Sequence, residues 1–105
     1  MSVIKSTDAD FQNLIATNEK VIVKFFADWC GTCQLLTPKF KRLSEDPEYK
    51  DITFLEIDTE ENQETRKFAG VDKLPFFATY KNGVLFEDKV TAMEEKVIIL
   101  LKNLE

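Results

Sequence analysis

The run Val21-Ile22-Val23-Lys24-Phe25-Phe26 constrains the fold more than any other stretch of this chain. Its β-branched and aromatic residues favour a strand. A strand with one wet face alternates apolar with polar residues. This run is apolar at nearly every position, which predicts a central strand covered on both faces.

The flanking periodicities supply the covers. Val3-Ile4-Lys5 is a weak strand. Thr7-Asp8-Ala9-Asp10 reads as a helix start, with Thr7 as N-cap and Asp8 and Asp10 at the positive end of the helix dipole. Phe11, Leu14 and Ile15 continue as a helical stripe. Beyond the central run, Leu35, Leu36, Phe40 and Leu43 recur at helical spacing, and Pro38 inside that pattern predicts a kink. Residues 46–51 are a polar loop and residues 52–58 a second strong strand. Residues 60–68 form a short polar helix that Gly70 can end. Residues 76–80 are a third strong strand. Asn82-Gly83 is a hairpin signal, and residues 84–90 return as its partner. Thr91-Ala92-Met93-Glu94 reads as a capping box for a last helix, with Val97, Leu100, Leu101 and Leu104 on one side.

The order βαβαβαββα describes an α/β domain. Strands separated by helices imply parallel pairs with right-handed crossovers, and the hairpin adds an antiparallel pair at one end. The expectation is a central mixed sheet with helices on both faces, in one domain over residues 1–105.

With 105 residues, 44% of them hydrophobic, the chain can bury a core, roughly 65% of its unfolded surface at this size. Charged residues of both signs make up 31%, with a net charge of −5. That balance argues against disorder and against a nucleic-acid partner. No apolar run approaches the roughly 20 residues of a membrane span. The start, Met1 to Asp10, is polar and acidic, so no signal or transit peptide is expected and the cytoplasm is the expected compartment. There is no histidine, which removes Ser-His-Asp catalysis and His-based zinc sites.

Cys30 and Cys33 are the only cysteines. Random placement of two cysteines gives this spacing about 2% of the time. In a cytosolic chain such a pair points to redox or metal chemistry rather than to a structural staple. A disulfide closing so short a loop also constrains the unfolded chain little. The pair falls where the central strand hands over to a helix. Cys30 lies at or just before the helix N-terminus, where unpaired N–H groups and the dipole favour its thiolate. Cys33 lies one turn further in, less exposed, and acts second. Gly31 and Thr32 let the two sulfurs approach. This arrangement suits thiol–disulfide exchange, in which one thiol attacks and the other resolves the mixed disulfide. A zinc site needs four ligands, so two sulfurs without histidine would need carboxylates or a dimer. Two inert buried thiols are the remaining alternative.

The segment Phe25-Phe26-Ala27-Asp28-Trp29-Cys30-Gly31-Thr32-Cys33 resembles the active-site segment of the thioredoxin family. Further landmarks match it: Pro38 in the following helix, Leu74-Pro75, the strand Phe54-Leu55-Glu56-Ile57-Asp58, and the turn Tyr80-Lys81-Asn82-Gly83. The resemblance covers essentially the whole chain. It implies the thioredoxin fold and a protein-disulfide reductase that cycles Cys30–Cys33 between dithiol and disulfide. It makes Cys30 the exposed nucleophile and Cys33 the resolving thiol. Trp29 flanks the site, with Gly31 and Thr32 beside it. Pro75 is cis, and the backbone of Leu74 pairs with an extended substrate segment. No bound cofactor is implied, because the cysteines carry the electrons. The implied partners are protein disulfides and a thioredoxin reductase or equivalent dithiol donor, with no nucleic acid and no membrane; the chain is expected to be a monomer. The chain ends Lys102-Asn103-Leu104-Glu105 without a retention signal, against an oxidase or isomerase role. A second reading is a binding module that uses the groove around Trp29, Leu74 and Pro75 without turnover.

Several positions depart from the family. A buried acid is usual where Lys24 stands, and its usual lysine partner is matched by Phe54. Lys24 shares a strand face with Ile22 and Phe26, so burial is expected, with Glu56 and Asp58 as candidate partners. A location near Cys33, favouring its thiolate, is the sharper expectation for Lys24. Thr32 replaces the usual proline and predicts a less reducing couple. Phe76 and Thr91 replace smaller residues and make the groove bulkier.

Overall fold

The computed structural model describes residues 3–105. Met1 and Ser2, the first residues of the expected domain, lie outside the described residues. The chain runs β1 (Ile4–Lys5), α1 (Phe11–Thr17), β2 (Lys20–Phe26), α2 (Gly31–Ser44), β3 (Thr53–Asp58), α3 (Gln63–Ala69), β4 (Phe76–Lys81), β5 (Val84–Val90) and α4 (Glu94–Leu104). The polar loop before β3 contains one 3-10 turn, Pro47–Tyr49. The strands form one five-stranded sheet in the order β1-β3-β2-β4-β5.

β2 lies at the centre, and Val21, Ile22, Val23 and Phe25 are wholly buried. Its alternate side chains serve two cores. Val21, Val23 and Phe25 pack with Phe11 and Ile15 of α1. Ile22 packs with Leu36 and Phe40 of α2 and with Val97 and Leu101 of α4. The helices therefore cover both faces, as a strand without alternation requires.

β1, β3 and β2 are parallel, with Val23 opposite Leu55 and Phe26 opposite Asp58. β4 differs from the sequence expectation. It follows a helix, yet it pairs antiparallel to β2, with Phe25 opposite Phe76. The segment containing α3 returns the chain to the sheet beside the end where β3 leaves it, since Phe26 is opposite Asp58 at the end of β3 and Phe25 is opposite Phe76 at the start of β4.

Two expected helix starts are also corrected. Thr7 does not cap α1. Its carbonyl accepts from Asp10 and Phe11 N–H in a preceding turn, while the Asp10 carboxylate turns back to Ser6 Oγ at 2.6 Å and Thr7 N at 2.9 Å. The Thr91–Glu94 capping box does not form either. Thr91 Oγ1 accepts from Met93 N at 3.0 Å, one residue short of the helix. α3 begins at Gln63, later than its composition suggests. Gly70 does end it, at φ 70°, a left-handed conformation that glycine adopts without a Cβ penalty. Asn82 and Gly83, at φ 53° and 82°, make the tight turn of the β4–β5 hairpin.

Candidate active site

The site is assembled where β2 stops. Thr59 fixes that end of the sheet, donating to the Phe26 carbonyl from its N–H at 2.9 Å and from its hydroxyl at 3.0 Å. The chain then turns, with Cys30 N–H donating to the Ala27 carbonyl at 3.0 Å. Cys30 is the N-cap of α2, with extended backbone, and its Sγ accepts from Cys33 N–H at 3.2 Å. A sulfur therefore occupies the position at which a helix N-terminus favours an anion. The Thr32 hydroxyl is a second neighbour of Cys30 Sγ, at 3.6 Å.

Cys30 and Cys33 are joined as a disulfide, with their Cα atoms 5.3 Å apart. Cys33 is fully buried and Cys30 is 6% exposed. The sequence expectation of an exposed Cys30 is thus corrected: the sulfur pair packs against Ala27, Phe26 and Leu74 and shows only a narrow edge. Gly31 and Thr32 beside it are exposed. Trp29 is 70% exposed, so it does not serve as core packing; it stands beside the disulfide as a large uncovered apolar surface.

The Leu74-Pro75 bond is cis. Half-buried Leu74 packs on the cysteine pair, and the Pro75 carbonyl accepts from Thr91 N–H at 3.1 Å. The structure thereby brings Cys30, Cys33, Leu74 and Pro75 together, with Thr91 at the border. Phe76 is buried and meets Phe25 edge-on, with ring centroids 5.7 Å apart, so its bulk goes into the core rather than into a groove.

Lys24 is 1% exposed. It does not form the expected ion pair: Glu56 is its direct neighbour on β3, yet no carboxylate lies within ion-pair distance among the described residues. Its ammonium instead turns under α2 and donates to Thr37 Oγ1 at 2.6 Å. The Thr37 hydroxyl in turn donates to the Cys33 carbonyl at 3.2 Å. Burial pulls the Lys24 ammonium below the ordinary lysine value, with the Glu56 charge pushing weakly the other way. Thr37 is the residue the sequence reading missed. The available signal was its place four after Cys33, where a threonine hydroxyl can bond the carbonyl one turn back.

Among the described residues no cluster of three or more metal-ligating side chains occurs, and no helix is long and apolar enough to cross a membrane.

A family model described as Thioredoxin matches residues 2–103. The chain belongs to the thioredoxin family. It is 36% identical over 97 residues to Thioredoxin-1 of Schizosaccharomyces pombe, covering 92% of each protein. It is 37% identical over 98 residues to the thioredoxin of Gallus gallus, covering 91% of each. The crystal structure of Schistosoma mansoni thioredoxin superposes with a TM-score of 0.91 at 34% identity, over 99% of this chain and 96% of that one. The fold is the thioredoxin fold, and the chain is a thioredoxin-type thiol–disulfide oxidoreductase. Lys24, Phe54 and Thr32, where departures from the family are expected, therefore sit inside the thioredoxin fold.

Proposed function

We propose that Cys30 is the nucleophile and Cys33 the resolving thiol of a protein-disulfide reductase. The Cys30 thiolate attacks one sulfur of a substrate disulfide; the other substrate sulfur leaves as a thiolate. Cys33 then displaces the second substrate sulfur and closes the Cys30–Cys33 bond. A thioredoxin reductase or equivalent dithiol donor restores the dithiol, and no bound cofactor takes part. Trp29, Gly31, Thr32 and Leu74 contact the substrate, with the backbone next to Pro75 pairing with its extended segment. The working form is a monomeric domain over residues 1–105 in the cytoplasm. A lone Cys-x-x-Cys in a chain without other cysteines supports a reducing compartment.

One observation carries this reading: Cys30 Sγ is the cap of α2 and accepts the Cys33 N–H at 3.2 Å. That position favours the leaving and attacking thiolate at one sulfur and not the other. The test is catalysed reduction of an insulin interchain disulfide with a dithiol as donor. Turnover well above the dithiol alone, lost in Cys30→Ser, supports it. A rate equal to the dithiol alone overturns it.

The near-complete cover of Cys30 favours one second reading, partner binding without turnover in the groove of Trp29, Leu74 and Pro75. Partner binding would then persist after both cysteines are replaced by serine.

A further inference from the structure

Lys24 is the one charged side chain buried in the core among the described residues, and it makes no ion pair. An uncompensated buried ammonium is costly. A lysine stem is long enough to lift its charge to water, yet this one stays under α2. Two successive hydrogen bonds, Lys24 Nζ to Thr37 Oγ1 and Thr37 Oγ1 to the Cys33 carbonyl, tie it to the backbone of the resolving cysteine. The rings of Phe26 and Phe40 face the ammonium at 5.4 and 5.9 Å, which steadies a cation without supplying an anion.

The groups around it narrow the choice of anion. From β3, Glu56 faces it but is only half-buried and beyond ion-pair reach. From β4 its neighbour is Phe77, which does not titrate. From α4, Glu94 lies beside Phe40 and Phe77 and makes no ion pair with the ammonium. From α2, which also carries the cations Lys39, Lys41 and Arg42, Thr37 links the ammonium to Cys33, fully buried and without charge while it remains in the disulfide. Cys30 and Cys33 both gain a negative charge during the reaction, and of the two Cys33 is the one that Thr37 ties to the ammonium.

We propose that Lys24 is the buried counter-cation of the Cys33 thiolate, a positioning residue that favours the resolving step. This rests on the reading of Cys33 as the resolving thiol. In that step Cys33 gives its proton to water. The electron pair of its thiolate forms the bond to Cys30. The bond between Cys30 and the substrate sulfur breaks, and the substrate leaves as a thiolate that takes a proton from water. The two cysteines are oxidised and the substrate disulfide is reduced. Lys24 keeps its proton throughout and supplies field, not protons. The coupling is reciprocal: the thiolate stabilises the ammonium as much as the ammonium stabilises the thiolate. The cation lacks its anion in the disulfide form and regains it in the dithiol form.

Two measurements test this. In a Cys30→Ser chain, ultraviolet thiolate absorbance reports the Cys33 titration with and without Lys24→Met. The expected result is a Cys33 pKa higher by about one unit or more without the lysine, about tenfold less thiolate at neutral pH. An unchanged titration overturns the proposal. The second measurement needs no substitution at Lys24. NMR titration of the Lys24 ammonium in the native chain should give a higher pKa in the dithiol than in the disulfide form, and equal values overturn the proposal. Insulin reduction by the native chain is followed in parallel. Its absence strikes the reductase reading alone, whereas turnover with uncoupled titrations strikes the role of Lys24 alone.

Discussion

Asp8 and Thr65 stand 57 positions apart, yet one carboxylate oxygen of Asp8 accepts both the Thr65 N–H at 2.8 Å and the Thr65 hydroxyl at 2.7 Å. The exchange is mutual, because Asn62 Oδ1 accepts the Asp8 N–H at 2.9 Å. Asp8 therefore caps α3 from outside, where Asn62 makes no side-chain cap bond of its own. The Thr65 hydroxyl, followed by the N–H groups of Thr65 and Glu64, holds the Asp8 carboxyl below its usual value of 3.8. A depressed carboxylate stabilises the fold above the unfolded pKa and loses that effect as pH falls through the folded one. Asp8→Ala should lower Tm at neutral pH, and the difference from the native chain should shrink below pH 3.8. Thermal melts across that range check it. A difference that persists undiminished in acid would show that the ionised cap is not its source.

Thr32 is expected to tune the attacking sulfur, since its hydroxyl lies 3.6 Å from Cys30 Sγ. A hydroxyl that can turn toward a thiolate stabilises it. Thr32→Val should slow alkylation of Cys30 at neutral pH by about two- to tenfold, whereas Thr32→Ser should keep most of the rate. Thr32→Pro should make the couple more reducing on equilibration with glutathione. Equal alkylation rates in the Val and Ser variants would remove the hydroxyl from the account.

Lys24 should be a liability to the disulfide form. Its ammonium is held below the ordinary 10.5 by burial. The unfolded chain thus binds more protons between the folded value and 10.5, so stability rises with pH through that window, and the penalty is complete below it. Lys24→Met should raise the Tm of the oxidised protein at neutral pH and flatten this alkaline rise. Melts of both disulfide forms from neutral to alkaline pH measure it. A lower Tm for the methionine variant would mean that the Thr37 and ring contacts outweigh the cost of burial.

Phe40 joins the core to the site. Its ring lies 5.1 Å from that of Phe54 and 5.7 Å from that of Phe77, and it also faces the Lys24 ammonium. Phe40→Ala should cost about 3–5 kcal/mol of stability. Denaturant unfolding of the two proteins checks it, and a loss below about 1 kcal/mol would mean that α2 resettles over the gap.

What could be read from the chain divides along physical lines. β2 was legible because a run without alternation demands cover on both faces. The Cys30 cap was legible because it depends on neighbours in sequence. Gly70 and Asn82-Gly83 were legible because left-handed backbone selects few residue types. Asp8 was misplaced onto α1 because a capping side chain reads the same whichever helix it serves, and its true partner is 57 positions away. The direction of β4 was missed because a helix between two strands does not by itself fix the end at which the chain re-enters the sheet. Burial of Lys24 was expected from its strand face, but its bond to Thr37 depends on where α2 lies over that face, which spacing along the chain does not give.

The central claim is that Cys30 attacks and Cys33 resolves. The most direct measurement is mass spectrometry of the Cys33→Ser chain after mixing, reduced, with a protein disulfide. The account predicts a stable adduct linked through Cys30 and released by dithiol. No adduct, from a reduced chain shown to be folded and to carry a free Cys30 thiol, would contradict it.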